Sequence, residues 1–305
     1  MRRFAIVQAP SGLGLRASGV EKLGDVLLDL GLRRALGARS VGTVWPPRPS
    51  EVVDPSSGIL NGPEIAAYAH RLADVVGEAL DAADEIPLVL GGDCSILLGG
   101  MLALRRRGGA GLLFLDGHAD FYQPSAEPLG EAASMDLALA TGYGPPAVGD
   151  LEGRVPLVRA EHVVILGHRD AEEQVEAGSQ QLPADLLAFD LNDVRATGAA
   201  TAAARAVAHL TRPGAPARFW VHVDADVLDD AVMPAVDYRL PCGLSPEELS
   251  TVLARAMATG RVAGVEITIY NPALDPERAA GLTLVDALVR GLAAATARAR
   301  ARPRS

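Results

Sequence analysis

The sequence predicts an α/β fold built on a parallel sheet with helices on both faces. Apolar runs of strand length recur along the chain and alternate with segments of helical pattern. Three of these runs stop abruptly in glycine- and aspartate-rich turns, at the edge where open α/β sheets bind ligands. With 49% hydrophobic residues among 305, the chain can bury a large core. No polar or low-complexity linker divides it and no internal repeat is visible, so 1–305 is read as a single domain.

In order, strands are expected over 4–8, 41–44, 86–90, 111–115, 163–166, 187–189, 219–223 and 262–269. The run Leu112-Leu113-Phe114-Leu115 is apolar throughout, as a parallel strand buried on both faces requires. Pro87 fits only near the start of its strand, where no ladder donor is needed. Helices are expected over 20–35, 63–83, 95–107, 199–210, 246–258 and 276–298. Ser245-Pro246-Glu247-Glu248 supplies an N-cap serine, a proline at the first helical position and a capping-box glutamate. Asp275-Pro276 repeats the cap and proline before the last helix. The Pro- and Gly-rich stretches 45–63 and 142–149 are short enough to be loops. Alternating Arg298, Arg300, Arg302 and Arg304 mark 298–305 as a flexible, solvated Arg-rich tail.

Composition excludes several functions. A net charge of −10 argues against nucleic acid or an anionic membrane as partner. The apolar run after Met1-Arg2-Arg3 is too short for a signal peptide and is broken by Pro10. No apolar run approaches the roughly 20 residues that span a bilayer. Cys94 and Cys242 lie in different motifs, so a disulfide framework is not expected. The expectation is a soluble cytoplasmic protein.

The chemistry collects at three strand ends. Asp116-Gly117-His118-Ala119-Asp120 follows the apolar run 112–115. Gly91-Gly92-Asp93-Cys94-Ser95 brings a thiol after a tight turn, and Asp224-Ala225-Asp226-Val227-Leu228-Asp229 brings paired carboxylates. Alternate residues of an extended chain point to one side, so Asp116, His118 and Asp120 converge, as do Asp224 and Asp226. Two divalent cations roughly 3.5–4 Å apart need several anionic ligands. Four aspartates, a thiolate and one imidazole suffice.

In that order and at those separations, GGDCS, DGHAD and DADVLD resemble the ureohydrolase (arginase/agmatinase) family, whose usual forms are GGDHS, DAHxD and SxDxDxxDP. The likeness continues in residues 5–10 and 19–32, in Gly167-His168-Arg169-Asp170 against the family's GLRD, and in Asn271-Pro272 against its EVNP. The resemblance implies an eight-stranded parallel sheet in one three-layer α/β/α domain, a binuclear manganese centre and a homo-oligomer, trimeric or hexameric. It places Cys94, Asp116, Asp120 and Asp224 around one metal, and Asp116, His118, Asp224 and Asp226 around the other. It also implies attack of a bridging hydroxide on a guanidinium carbon, with Asp120 both a ligand and a hydrogen-bond acceptor. Cys94 departs from the family histidine. A thiolate is softer and adds charge, favouring zinc, iron or cobalt over manganese.

The substrate half departs further. Ile269 stands where EVNP carries the glutamate that pairs with the guanidinium. Glu266 is the replacement carboxylate nearest in sequence, although 266 and 269 have opposite parity on a strand. The family's loop histidine is absent from 130–136, leaving Glu131, Ser134 and Asp136 as polar candidates. Glu172 and Glu173 stand where the family holds an α-amino group. His222 shares parity with Asp224 and Asp226 and is a candidate catalytic histidine near the metals, in place of the absent loop histidine, and His168 is one at the rim. The resulting reading is a hydrolase of a linear C–N bond in a small guanidino or modified guanidino compound, with plain arginine disfavoured. A catalytically silent metal- or ligand-binding relative and a mononuclear deacetylase-like amidohydrolase are the alternatives.

Overall fold

A computed structural model describes residues 2–293. The strands are β1 (Arg3–Gln8), β2 (Arg39–Thr43), β3 (Glu85–Leu90), β4 (Gly111–Leu115), β5 (Val163–Leu166), β6 (Leu187–Phe189), β7 (Phe219–Asp224) and β8 (Val262–Thr268). They form one eight-stranded sheet in the order β2-β1-β3-β8-β7-β4-β5-β6, parallel at every pairing. The chain builds one edge with β1 to β3, crosses to β4 to β6, and returns to fill the centre with β7 and β8. The central carboxyl ends of β3, β8, β7 and β4 thereby lie side by side at a topological switch point. Pro87 pairs with Ala5 of β1, and the ladder to β8 begins only at Leu88, so the missing amide proton leaves no acceptor unmet there.

The helices are α1 (Leu23–Asp29), α2 (Leu32–Leu36), α3 (Gly62–Asp81), α4 (Leu97–Arg105), α5 (Asp136–Thr141), α6 (Pro146–Gly149), α7 (Ala171–Ala177), α8 (Leu191–Thr197), α9 (Ala199–Leu210), α10 (Pro246–Ala258) and α11 (Ala279–Leu292). Strand side chains alternate between two cores. Val89, Leu112, Phe114 and Trp220 pack with α3, α4 and α5, whereas Leu88, Leu113, Leu115, Val221 and Val265 pack with α9, α10 and α11. This is the three-layer α/β/α arrangement that the alternating pattern requires.

Local chemistry moved some helix boundaries. The helix expected over 20–35 is interrupted because Gly31 adopts a left-handed φ of 94°, splitting α1 from α2. The helix expected over 276–298 begins instead at Ala279, with Arg278 at φ 59° before it. Asp275 still caps it, from further back, by accepting from the amides of Ala279 (3.0 Å) and Gly281 (2.9 Å). The Ser245 capping box is present as expected. The predicted tail at 298–305 lies outside the described residues. Among the described residues no helix is long and apolar enough to cross a membrane.

Candidate metal centre

The thiol arrives through the turn after β3. Gly92 is required there, since a Cβ would sit 1.6 Å from the Ser11 carbonyl oxygen. Asp93 accepts from the Ser95 amide at 2.8 Å, which closes the turn and presents Cys94, 1% exposed. Cys94 Sγ lies 2.9 Å from Asp224 Oδ2 and 3.3 Å from Thr268 Oγ1. Asp224 ends β7, and its Oδ1 accepts from the Asp226 amide at 2.7 Å, capping the 3-10 turn that carries Asp226.

The Asp-Gly-His-Ala-Asp segment converges for a reason other than strand alternation. β4 stops at Leu115, and Asp120 lies in the left-handed region at φ 47°. Backbone hydrogen bonds shape the loop instead. Asp116 accepts from the His118 amide (2.6 Å), Asp226 from the Gly117 amide (2.9 Å) and Asp170 from the Ala119 amide (3.1 Å). Arg169 donates to the carbonyls of Asp226, Leu228, Leu240 and Pro241, holding the loop after β7 against this one.

The ligand atoms fall into two groups sharing Asp116. Cys94, Asp116, His222 and Asp224 have donors all within 4.8 Å of one another, as do Asp116, His118 and Asp120. Asp226 Oδ2 lies 2.9 Å from His118 Nδ1. All six expected ligands are thus brought together, and His222 joins them. Asp116 Oδ2 and His222 Nε2 are buried with no hydrogen-bond partner among the described residues. Buried polar atoms are normally paired, so carboxylate, thiol and imidazole donors with open valences suit a divalent cation.

The electrostatics agree. Burial and the Asp226 charge raise Asp116 to about 6. Burial, then neighbouring carboxylates, push Asp120 and Asp224 well above the usual range. The Cys94 thiol is pushed up by burial and then by Asp224. Burial works to raise Asp226 as well, but His118 and the Gly117 amide outweigh it and hold this carboxyl at about 2. Burial disfavours protonated His118, yet Asp226 and Asp116 overcome it and raise the imidazole well above its ordinary value. Proton and cation compete for the same acids.

Above the ligands opens a cavity of about 290 Å³ lined by Cys94, His118, Asp120, Asp224 and Asp226 below, and by Leu15, Tyr122, Glu127, Ser134, Glu173, Tyr238 and Ile269 around. Of the three polar candidates in 130–136, Ser134 lines it. Glu131 does not. It is buried, accepting from Tyr238 Oη and from the Arg16 amide. Asp136 is fully buried beside His222, Asp116, Asp120 and Glu266, outside the cavity lining. Glu266, read as a replacement guanidinium partner, is also fully buried, and its Oε1 meets His222 Nδ1 at 2.8 Å. Its strand position points it behind the ligands. Glu172 lines a neighbouring cleft with His168 and Arg169, whereas Glu173 reaches both. Thr268 and Tyr238 were not singled out in the sequence. Thr268 shares strand parity with Glu266, which was the available signal, whereas nothing local marks Tyr238.

Comparison with known proteins accords with this geometry. The Arginase family model matches residues 13–293. An arginase of Brevibacillus brevis is 30% identical over 217 residues, 70% of each chain. The N(omega)-hydroxy-L-arginine amidinohydrolase of Streptomyces lavendulae is 30% identical over 218 residues, 70% of this chain and 72% of that protein. A solved arginase structure from Bacillus caldovelox superposes with a TM-score of 0.84 at 23% identity, covering 96% of this chain and 98% of that one, a likeness of fold. The chain belongs to the arginase, or ureohydrolase, family, with cysteine where the family's GGDHS form carries histidine.

Proposed function

We propose that the protein is a binuclear metal-dependent hydrolase of a weakly basic guanidine, cleaving a linear C–N bond. Cys94, Asp116, His118, Asp120, Asp224 and Asp226 would hold two divalent cations. The observation that carries this reading is the pair of ligand groups sharing Asp116 at the base of one cavity. When bound, two such cations supply Lewis acidity and a water deprotonated near neutral pH. The thiolate inclines the site to zinc, iron or cobalt, against the manganese that family resemblance suggests. Asp120 faces the cavity and would accept the hydrogen bond of the nucleophile's O–H. Glu127 and Glu173 suit an ammonium at the far end of the substrate, and Ser134 offers a hydroxyl.

Ile269 decides the substrate class. It lines the cavity at φ 69°, a strained conformation for a β-branched residue, with its amide held by the Gly92 carbonyl at 2.8 Å. Its side chain leaves a charged guanidinium without a partner carboxylate, and an unpaired buried charge costs several kcal/mol. N-hydroxylated or acylated guanidines, or amidine-like compounds, avoid that cost. The relative named for hydroxylated arginine supports this choice.

The test is reconstitution with manganese, zinc, iron or cobalt, metal counting per chain, and a screen of guanidino and amide compounds for urea-type product or ammonia. Two metals with guanidine hydrolysis are expected. No metal under any condition would leave a silent relative, and one metal with amide hydrolysis a deacetylase-like enzyme. The reading also takes 1–305 as one domain of a cytoplasmic trimer or hexamer, checked by mass in solution.

A further inference from the structure

We infer that His222 is itself a metal ligand, its Nε2 completing a buried four-donor site with Cys94, Asp116 and Asp224. The inference rests on the two-metal reading above and adds a ligand at a position where the family's SxDxDxxDP form carries serine.

Strand register fixes the ring. His222 on β7 lies opposite Phe114 of β4 and Glu266 of β8. Phe114 stacks on the imidazole, with centroids 4.5 Å apart and planes 7° from parallel. Glu266 Oε1 lies 2.8 Å from Nδ1. A carboxylate there makes Nδ1 the donor, leaving the Nε2 lone pair free. A carboxylate, an imidazole and an open valence in series is the arrangement by which proteins orient metal-binding histidines.

Nε2 points into the ligand group. It is buried, without a hydrogen-bond partner among the described residues, 3.9 Å from Asp116 Oδ2, which is likewise unpartnered among them. Ligand atoms of Cys94, Asp116, His222 and Asp224 all lie within 4.8 Å of one another. A tetrahedral cation with bonds of roughly 2.0–2.3 Å sets its donors roughly 3.3–3.8 Å apart, so small adjustments close the site. Asp120 groups with Asp116 and His118 instead, which leaves it to the second cation and the cavity. Two departures from the family forms thus compensate. The imidazole lost at Cys94 returns from across the site at His222, while the thiolate makes the donor set softer. The competing account makes His222 an imidazolium counter-ion to Glu266, Asp136 and Asp116, the acids facing it.

The test is a crystal structure of the zinc-loaded full chain, with zinc located by anomalous scattering. Alongside it, zinc affinity is measured by chelator competition for wild type and His222→Gln, whose amide can still donate to Glu266. The expected result is zinc about 2.0–2.1 Å from His222 Nε2. The variant should lose affinity at one of two sites by more than the 10–100-fold typical of outer partners. Two zinc ions with Nε2 more than about 3 Å from both would overturn the ligand assignment and leave the proposed function standing. Failure of wild type to bind zinc, manganese, iron or cobalt would overturn both. Should His222→Gln fail to fold, the wild-type zinc position decides alone.

Discussion

The base and the wall of the cavity follow opposite rules. The base is made of buried acids, a thiol and imidazoles on or just after the central strands, its five Asp and His ligands in positions matching family motifs and only Cys94 and His222 departing from them. The wall comes from loops, and it departs from the family at the positions nearest the reacting group: Ile269 replaces the glutamate, and no histidine occupies 130–136. Charge density at the base is useful only with cations present, whereas the wall need only match the substrate. An enzyme can therefore change its substrate by altering loops while its nucleophile-generating machinery stays in place.

The largest effect should come from the residue common to both ligand groups. Asp116→Asn is expected to abolish binding of both cations and to lower kcat/KM by about 10³-fold, or about 4 kcal/mol. Metal content and rate measured together check it. Loss of rate with both metals retained would break the link between base and chemistry.

Converting the wall should be next in size. Ile269→Glu restores a carboxylate and is expected to raise kcat/KM for arginine relative to a neutral guanidine by on the order of 10²-fold. An unchanged ratio would mean that another acid already pairs the guanidinium.

Metal removal reveals the cost of the base. Asp116 titrates at about 6 and Asp120 and Asp224 well above their ordinary range, so the folded metal-free chain binds more protons than the unfolded one. Stability from these groups is present at low pH and lost as pH rises through the folded values. The metal-free protein should therefore melt higher near pH 5 than near pH 7.5. Asp226, held at about 2, opposes this only below its unfolded value near 4. Free metal at 100 times its Kd should add about 2.7 kcal/mol. A metal-free melting temperature that rises with pH would contradict the charge assignment.

A smaller change concerns metal choice. Cys94→His is expected to shift preference from zinc towards manganese by about tenfold. Competition titrations read it directly, and unchanged relative affinities would make Cys94 a packing residue.

The same contrast explains what was legible in the sequence. The central strands are recognisable because parallel strands buried on both faces are continuous apolar runs, and motifs at their ends mark the site, whereas the edge strand β2, Arg39–Thr43, carries only a short apolar signal. The candidate ligands could be listed, but the parity argument for Asp116, His118 and Asp120 does not apply, because that segment is a hydrogen-bonded loop. Contacts between strands were hidden. The sheet order that sets β7 beside β8 brings Glu266 to His222, and no local pattern encodes that register. For the same reason Glu266 and Asp136 looked available to substrate although both are buried. The short helix α7 sets Glu173 rather than Glu172 into the cavity, a difference of one residue on a helix face.

The most direct test of the contrast between base and wall is a rate comparison on the wild-type protein. With two metals per chain verified for each assay, kcat/KM is measured for arginine and for N-hydroxylated and acylated guanidines. The weakly basic compounds should be preferred by on the order of 10²-fold, as expected when a charged group would be buried without a partner. A comparable preference for arginine would contradict the account and place a pairing carboxylate in the wall.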